Sequence, residues 1–89
     1  MDVRNSGEVF YIELDDGESA ELAYHVEGGA LYLDSTYTPD AFRGRGIGGR
    51  LIEAAVAYAK EKGLKIVPVC SFAAGYFKRH PEYNYLLKK

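Results

Sequence analysis

Apolar and polar positions divide the chain into two halves with different periods. The segment Val9–Leu14 is rich in Val, Phe, Tyr and Ile and runs into Asp15-Asp16-Gly17, so it predicts a strand closed by a tight turn. Residues 20–26 predict the return arm of a hairpin. Gly28-Gly29 marks a second turn, and Ala30–Tyr37, with β-branched and aromatic residues near its end, predicts a third strand. Links this short imply an antiparallel meander. Beyond the loop opened by Pro39-Asp40, Ile47, Leu51, Ile52, Ala55, Val56 and Ala59 fall at helical spacing. Arg50, Glu53, Lys60 and Glu61 fill the other face, and Gly63 stands where a helix C-terminal glycine belongs. Residues 64–70 predict a buried strand, which completes a βαβ unit with a right-handed parallel crossover. Phe72–Arg79 predicts a short helix stopped ahead of Pro81. With no repeat, low-complexity tract or linker, residues 1–89 read as a single α+β domain: a three-stranded meander, a βαβ crossover and a short C-terminal helix.

Composition narrows the function. At 89 residues with 47% hydrophobic and 27% charged positions, the chain is of the globular class and not a disordered tail. A net charge of −2 argues against a nucleic-acid partner, which would call for a basic face. The apolar runs are too short for a membrane span or a signal-peptide core, so no membrane partner is expected. One cysteine cannot close an internal disulfide, which makes the cytoplasm the expected compartment. No second histidine or cysteine stands at metal-ligand spacing to His25, so no metal site is expected.

The chemistry concentrates in Arg43-Gly44-Arg45-Gly46-Ile47-Gly48-Gly49, between the third strand and the long helix. Glycines there let backbone approach a ligand closely, and the helix start aims unpaired N–H groups at the same space. Arg43 and Arg45 add forked cationic donors, so the segment reads as a pyrophosphate cradle. Gly44, Gly46 and Gly49 also fit a dinucleotide fingerprint. That fold needs the loop near its first strand and a carboxylate about 20 residues on. Here three strands precede the loop and residues 64–70 contain no carboxylate. A phosphate-loop NTPase would need Gly-Lys-Ser/Thr, which is absent.

The spacing Arg43-x-x-Gly46-x-Gly48 resembles the acetyl-coenzyme A loop of the GNAT N-acetyltransferase superfamily, and the order of elements is similar too. Small members of about 90 residues are the nearest likeness. Its marks are Thr36-Tyr37-Thr38-Pro39 before the loop, Pro68-Val69-Cys70 on the following strand and His80-Pro81-Glu82-Tyr83 near the end. The resemblance implies that Arg43, Gly44, Arg45, Gly46, Ile47, Gly48 and Gly49 hold the coenzyme pyrophosphate. It also implies that Tyr37 and Thr38 lie along the pantetheine arm, between strands that splay apart. The implied activity is acetyl transfer from acetyl-CoA to an amine, on a protein or a small molecule.

Such a transfer needs a neutral nucleophile, a donor for the developing oxyanion and a proton for the departing thiolate. Cys70 is a candidate acetyl acceptor beside the thioester, or else a small buried residue. Tyr76 is a candidate proton donor by resemblance, or else a core aromatic between Phe72 and Phe77. His80 and Tyr83 read as a helix stop packed back on the core. Glu13, Asp34 and His25 lie on the predicted strands as potential bases. The family's histidine two residues before Tyr37 is replaced by Ser35, so a histidine-dependent step from that position is altered or absent. Few residues precede the first strand, which suggests an open acceptor side suited to a large acceptor or to closure by a second copy, a homodimer. The rival reading is a non-catalytic acyl-CoA binding or sensing module.

Overall fold

A computed structural model of the chain describes residues 2–15 and 17–89. Five strands form one sheet in the order β1-β2-β3-β4-β5: β1 (Arg4–Asn5), β2 (Val9–Glu13), β3 (Ser19–Glu27), β4 (Ala30–Tyr37) and β5 (Lys65–Pro68). The first four pair antiparallel, and β4 pairs parallel with β5. Helix α1 (Ile47–Lys62) joins β4 to β5, and α2 (Ser71–Arg79) follows. This is the α+β arrangement the patterning predicts. Asp16, in the first predicted turn, lies outside the described residues.

Three features differ from expectation. Strand β1 is a two-residue edge, too short to carry a periodic signal. The strand predicted over residues 64–70 is confined to Lys65–Pro68. Proline offers no N–H to continue the ladder, and the amides of Val69 and Cys70 both turn onto the Leu33 carbonyl, at 3.0 and 3.1 Å. The chain also continues past α2 into a 3-10 turn, Pro81–Leu86, begun by the proline that ends the helix. Beyond it the Lys88 amide donates to the Ile66 carbonyl at 2.9 Å, so the tail covers part of the outer edge of β5.

Both helices contribute to one core cluster. Ile12, Leu22, Leu31 and Leu33 of the sheet meet Leu51, Ile52 and Ala55 of α1 and Ala73 and Phe77 of α2. The buried positions of β2 and β3 alternate along the strands. The intervening residues Tyr11, His25, Tyr32 and Asp34 stand on the other face, half-buried or exposed.

One irregularity shapes the site. Ala23 pairs with Ser35, but Tyr24 pairs with Leu33, so Asp34 is the extra residue of a β-bulge in β4. A bulge bends its strand and strengthens the local twist. The β4–β5 ladder ends at Leu33 and Pro68, directly before that bulge. From Asp34 to Tyr37, β4 therefore has no β5 partner, and a gap opens between the two strands.

Candidate functional site

A cavity of about 450 Å³ lies at the free end of β4. Its walls are residues 36–38, the loop residues Phe42, Arg43, Gly44 and Gly46, the first turn of α1 at Ile47, Gly48 and Gly49, and Phe72 of α2. Of the nine residues singled out for the coenzyme, eight line this one cavity, and Arg45 stands outside the lining. Its guanidinium instead sits 5.2 Å from the centre of the Phe42 ring, a cation–π contact.

The glycines act in two ways. Gly44 and Gly46 hold φ of 80° and 75°, where a side-chain-bearing residue costs about 1–2 kcal/mol. Neither has any atom within 4 Å of where a Cβ would stand, so backbone conformation and not space requires them. Gly48 is the opposite case: a Cβ there would fall 2.5 Å from the Phe72 ring. Gly46 forms the N-cap of α1 without a side-chain cap, and no acidic residue occupies the first turn. The amides at the helix start therefore present uncompensated positive charge to the cavity. Ile47, 2% exposed, anchors that turn in the core. Arg43 ties the loop to β4: its Nε donates to the Thr38 carbonyl at 3.2 Å and lies 3.3 Å from Asp40 Oδ1. This glycine-built, positively polarised pocket fits a pyrophosphate group.

The two predicted catalytic side chains do not line the cavity. Cys70 is the N-cap of α2, and its Sγ accepts the Ala73 amide at 3.4 Å. Its backbone lies at the vertex of the strand gap, through the bond to Leu33. Tyr76 is 8% exposed and donates its hydroxyl to Glu53 Oε2 of α1. Burial first, and the Glu53 bond second, push its pKa well above the ordinary tyrosine range. Tyr83 donates to Glu53 Oε1 at 2.6 Å, and this bond pushes its pKa up to about 12. His80 stacks on Tyr76 with ring centres 4.0 Å apart and places Nδ1 2.8 Å from the Tyr76 carbonyl. The terminal His80-Pro81-Glu82-Tyr83 segment thus belongs to a clasp closed on Glu53.

Sequence reasoning missed Phe42 and Phe72 as walls and Glu53 as the centre of the clasp; in the sequence Glu53 is one more polar residue on a helix face. Of the potential bases, Glu13 pairs with Arg4 at 3.4 Å on the β1–β2 edge. His25 and Asp34 meet across β3 and β4, with Nδ1 and Oδ2 2.6 Å apart.

Comparison with known proteins follows the same lines. The family model described as GCN5-related N-acetyl-transferase matches residues 9–86. Protein NATD1 of Xenopus tropicalis is 43% identical over 70 residues, which is 78% of this chain and 64% of that protein. The Homo sapiens Protein NATD1 is 37% identical over the same length, 78% of this chain and 62% of its own. The chain therefore spans a little under two thirds of these relatives. The solution structure of a GCN5-like protein from Staphylococcus aureus superposes with a TM-score of 0.78 at 29% identity, covering 98% of this chain and 87% of that one.

Proposed function

The chain belongs to the GCN5-related N-acetyltransferase family, and from that premise we propose that it binds acetyl-CoA and transfers the acetyl group to an amine. The observation that carries this reading is the meeting, in one cavity, of an uncapped helix start, two left-handed glycines and a strand end without a β5 partner. The amides from Ile47 to Gly49, together with Gly44 and Gly46, hold the pyrophosphate, and Arg43 and Arg45 add positive charge. Tyr37 and Thr38 run along the pantetheine in the gap beside β4. Bound acetyl-CoA supplies the activated thioester. Cys70, at the vertex of the gap, is the candidate to carry the acetyl group if transfer passes through the protein. Tyr76 is the candidate donor to the departing thiolate, and donation requires its hydroxyl to leave Glu53.

Calorimetry with acetyl-CoA tests the cradle. Gly46→Asp places a side chain at φ 75° and a carboxylate at the anion site. Binding is expected to be lost while the far-UV circular dichroism stays that of the parent. Unchanged affinity in that variant would refute the assignment. Turnover against a panel of amines then separates an enzyme from a binding module. Intact mass spectrometry of the parent and of Cys70→Ala, each mixed with acetyl-CoA, reports whether the thiol is acetylated.

A further inference from the structure

We propose that the acceptor is a lysine-rich polypeptide docked on the sheet face opposite the helices, where Glu21 takes one of its ammonium groups beside the cavity mouth; this rests on the acetyl-transfer reading above. The chain is electrically bipolar. Residues 1–40 hold ten of the 13 Asp and Glu residues and one of the 11 Lys and Arg residues, so nearly all the basic charge belongs to residues 41–89. The basic half supplies the glycine loop and both helices, and its charge suits an anionic coenzyme. The acidic half supplies β1 to β4. Like charge turns a polybasic partner away from the helices and toward these strands.

The two halves meet at the cavity, whose walls include Thr36, Tyr37 and Thr38 from the acidic half and the glycine loop from the basic half. Tyr37 is 55% exposed and stands at the cavity end of one cross-strand row. In that row Tyr37 pairs with Glu21, Glu21 with Tyr11, and Tyr11 with Arg4. Directly opposed residues share a face, with Cβ atoms about 4.5–5.5 Å apart. The row faces away from the core, because its β3 neighbours Ala20 and Leu22 are the buried ones. Arg4 at the far end is paired with Glu13, and Asp34 is paired with His25. Glu21 is exposed and has no ion-pair partner among the described residues. It stands between two tyrosines, a setting that attracts a cation by charge and by the ring faces.

Shape decides between a polypeptide and a small amine. Small-molecule sites are concave, whereas this row lies on a sheet face and crosses four strands, about 14 Å at the usual strand spacing. An extended segment spans that length. Lysines two positions apart on it are separated by about 7 Å, which is also about one and a half strand spacings, the step from Glu21 on β3 to the open side of β4. One lysine at Glu21 therefore brings its neighbour to the gap. The next row toward the vertex of the gap pairs Ala23 with Ser35, whose small side chains raise no wall beside that path. Glu21 touches neither the acetyl group nor the reacting nitrogen. It is a docking residue that determines specificity and acts on KM.

The test uses the purified chain, acetyl-CoA and short blocked peptides: one of alternating Lys and Gly, one with Gln in place of Lys, and one with a single lysine. Glu21→Lys is expected to raise KM for the Lys-Gly peptide about tenfold at low salt, and Glu21→Gln about threefold. In both variants kcat and the calorimetric affinity for acetyl-CoA should stay those of the parent. KM for the single-lysine peptide should change little, and added salt should erase the difference between parent and variants. Independently of turnover, amide NMR of the coenzyme-loaded protein should show the Lys-Gly peptide shifting Tyr11, Glu21 and Tyr37, and the Gln peptide leaving them in place. An active parent whose Glu21→Lys variant keeps its KM overturns the docking site and leaves the transferase reading standing. Peptide-induced shifts confined to the helices overturn it in the same way. A parent that acetylates small amines but none of the peptides overturns the polypeptide acceptor alone. A parent that transfers to no amine overturns the transferase reading and this proposal together.

Discussion

At the residue scale, Gly48 and Phe72 form a coupled pair across the cavity. In a helix, Gly→Ala normally stabilises by about 0.5–1 kcal/mol. Here the new methyl group would meet the Phe72 ring at 2.5 Å, so the ring must move. Phe72 is 40% exposed and has solvent to move into, so the fold should survive. Gly48→Ala alone is expected to bring no gain in thermal stability and to weaken acetyl-CoA binding, because the displaced ring changes the pocket wall. In a Phe72→Ala background the same substitution should stabilise by up to about 1 kcal/mol. A double-mutant cycle by thermal denaturation checks this; additivity would show that the ring does not constrain the site. The glycine cluster itself was visible in the sequence. That Gly44 and Gly46 are needed for backbone conformation, and Gly48 for space, depends on φ and on a ring 24 positions away, which no local pattern records.

Among the elements, the clasp between α1 and the C-terminal segment governs how α2 is held. Glu53 is the common acceptor for a tyrosine of α2 and one of the 3-10 turn. Both phenols have pKa values above the ordinary 10.0. The folded state therefore holds these protons more tightly than the unfolded chain does. The stabilisation is complete below pH 10.0 and is lost as the pH rises toward the Tyr83 value of about 12. Melting temperature should fall across that alkaline range, and Glu53→Gln should flatten the fall while lowering stability at neutral pH. Melting curves followed by circular dichroism decide it; a parent and variant with the same alkaline slope would count against the clasp. Sequence placed α1 and α2 by periodicity and by Pro81. It left their mutual orientation open, because the Glu53–Tyr83 bond spans 30 residues.

For the whole molecule, the shortest principal dimension is 18 Å, the depth of one sheet and one helix layer. A two-layer domain keeps one apolar core, and Leu51 sits in it with no exposed surface. Leu51→Ala should cost about 2–5 kcal/mol, a large part of the roughly 5–15 kcal/mol that holds a small domain together. A drop in melting temperature of about 10 °C or more is expected, and a drop of only a few degrees would mean that the core collapses around the loss. No described helix is long and apolar enough to cross a membrane. The other sheet face carries Tyr11, Tyr32, His25 and Asp34, half-buried or exposed.

Local patterning was enough to establish the three central strands, the long helix with its glycine-rich start and the parallel strand after it. Each of these follows from backbone preferences and from burial repeated at a fixed period. Tertiary structure alone decided the bulge at Asp34, the early end of β5 and the meeting of His25 with Asp34. It also decided the capture of Tyr76 and Tyr83 by Glu53. These contacts depend on strand register and helix docking, which bring distant side chains together after their local conformations are set. A one-residue slip between β3 and β4 would leave every strand's composition unchanged and turn His25 away from Asp34.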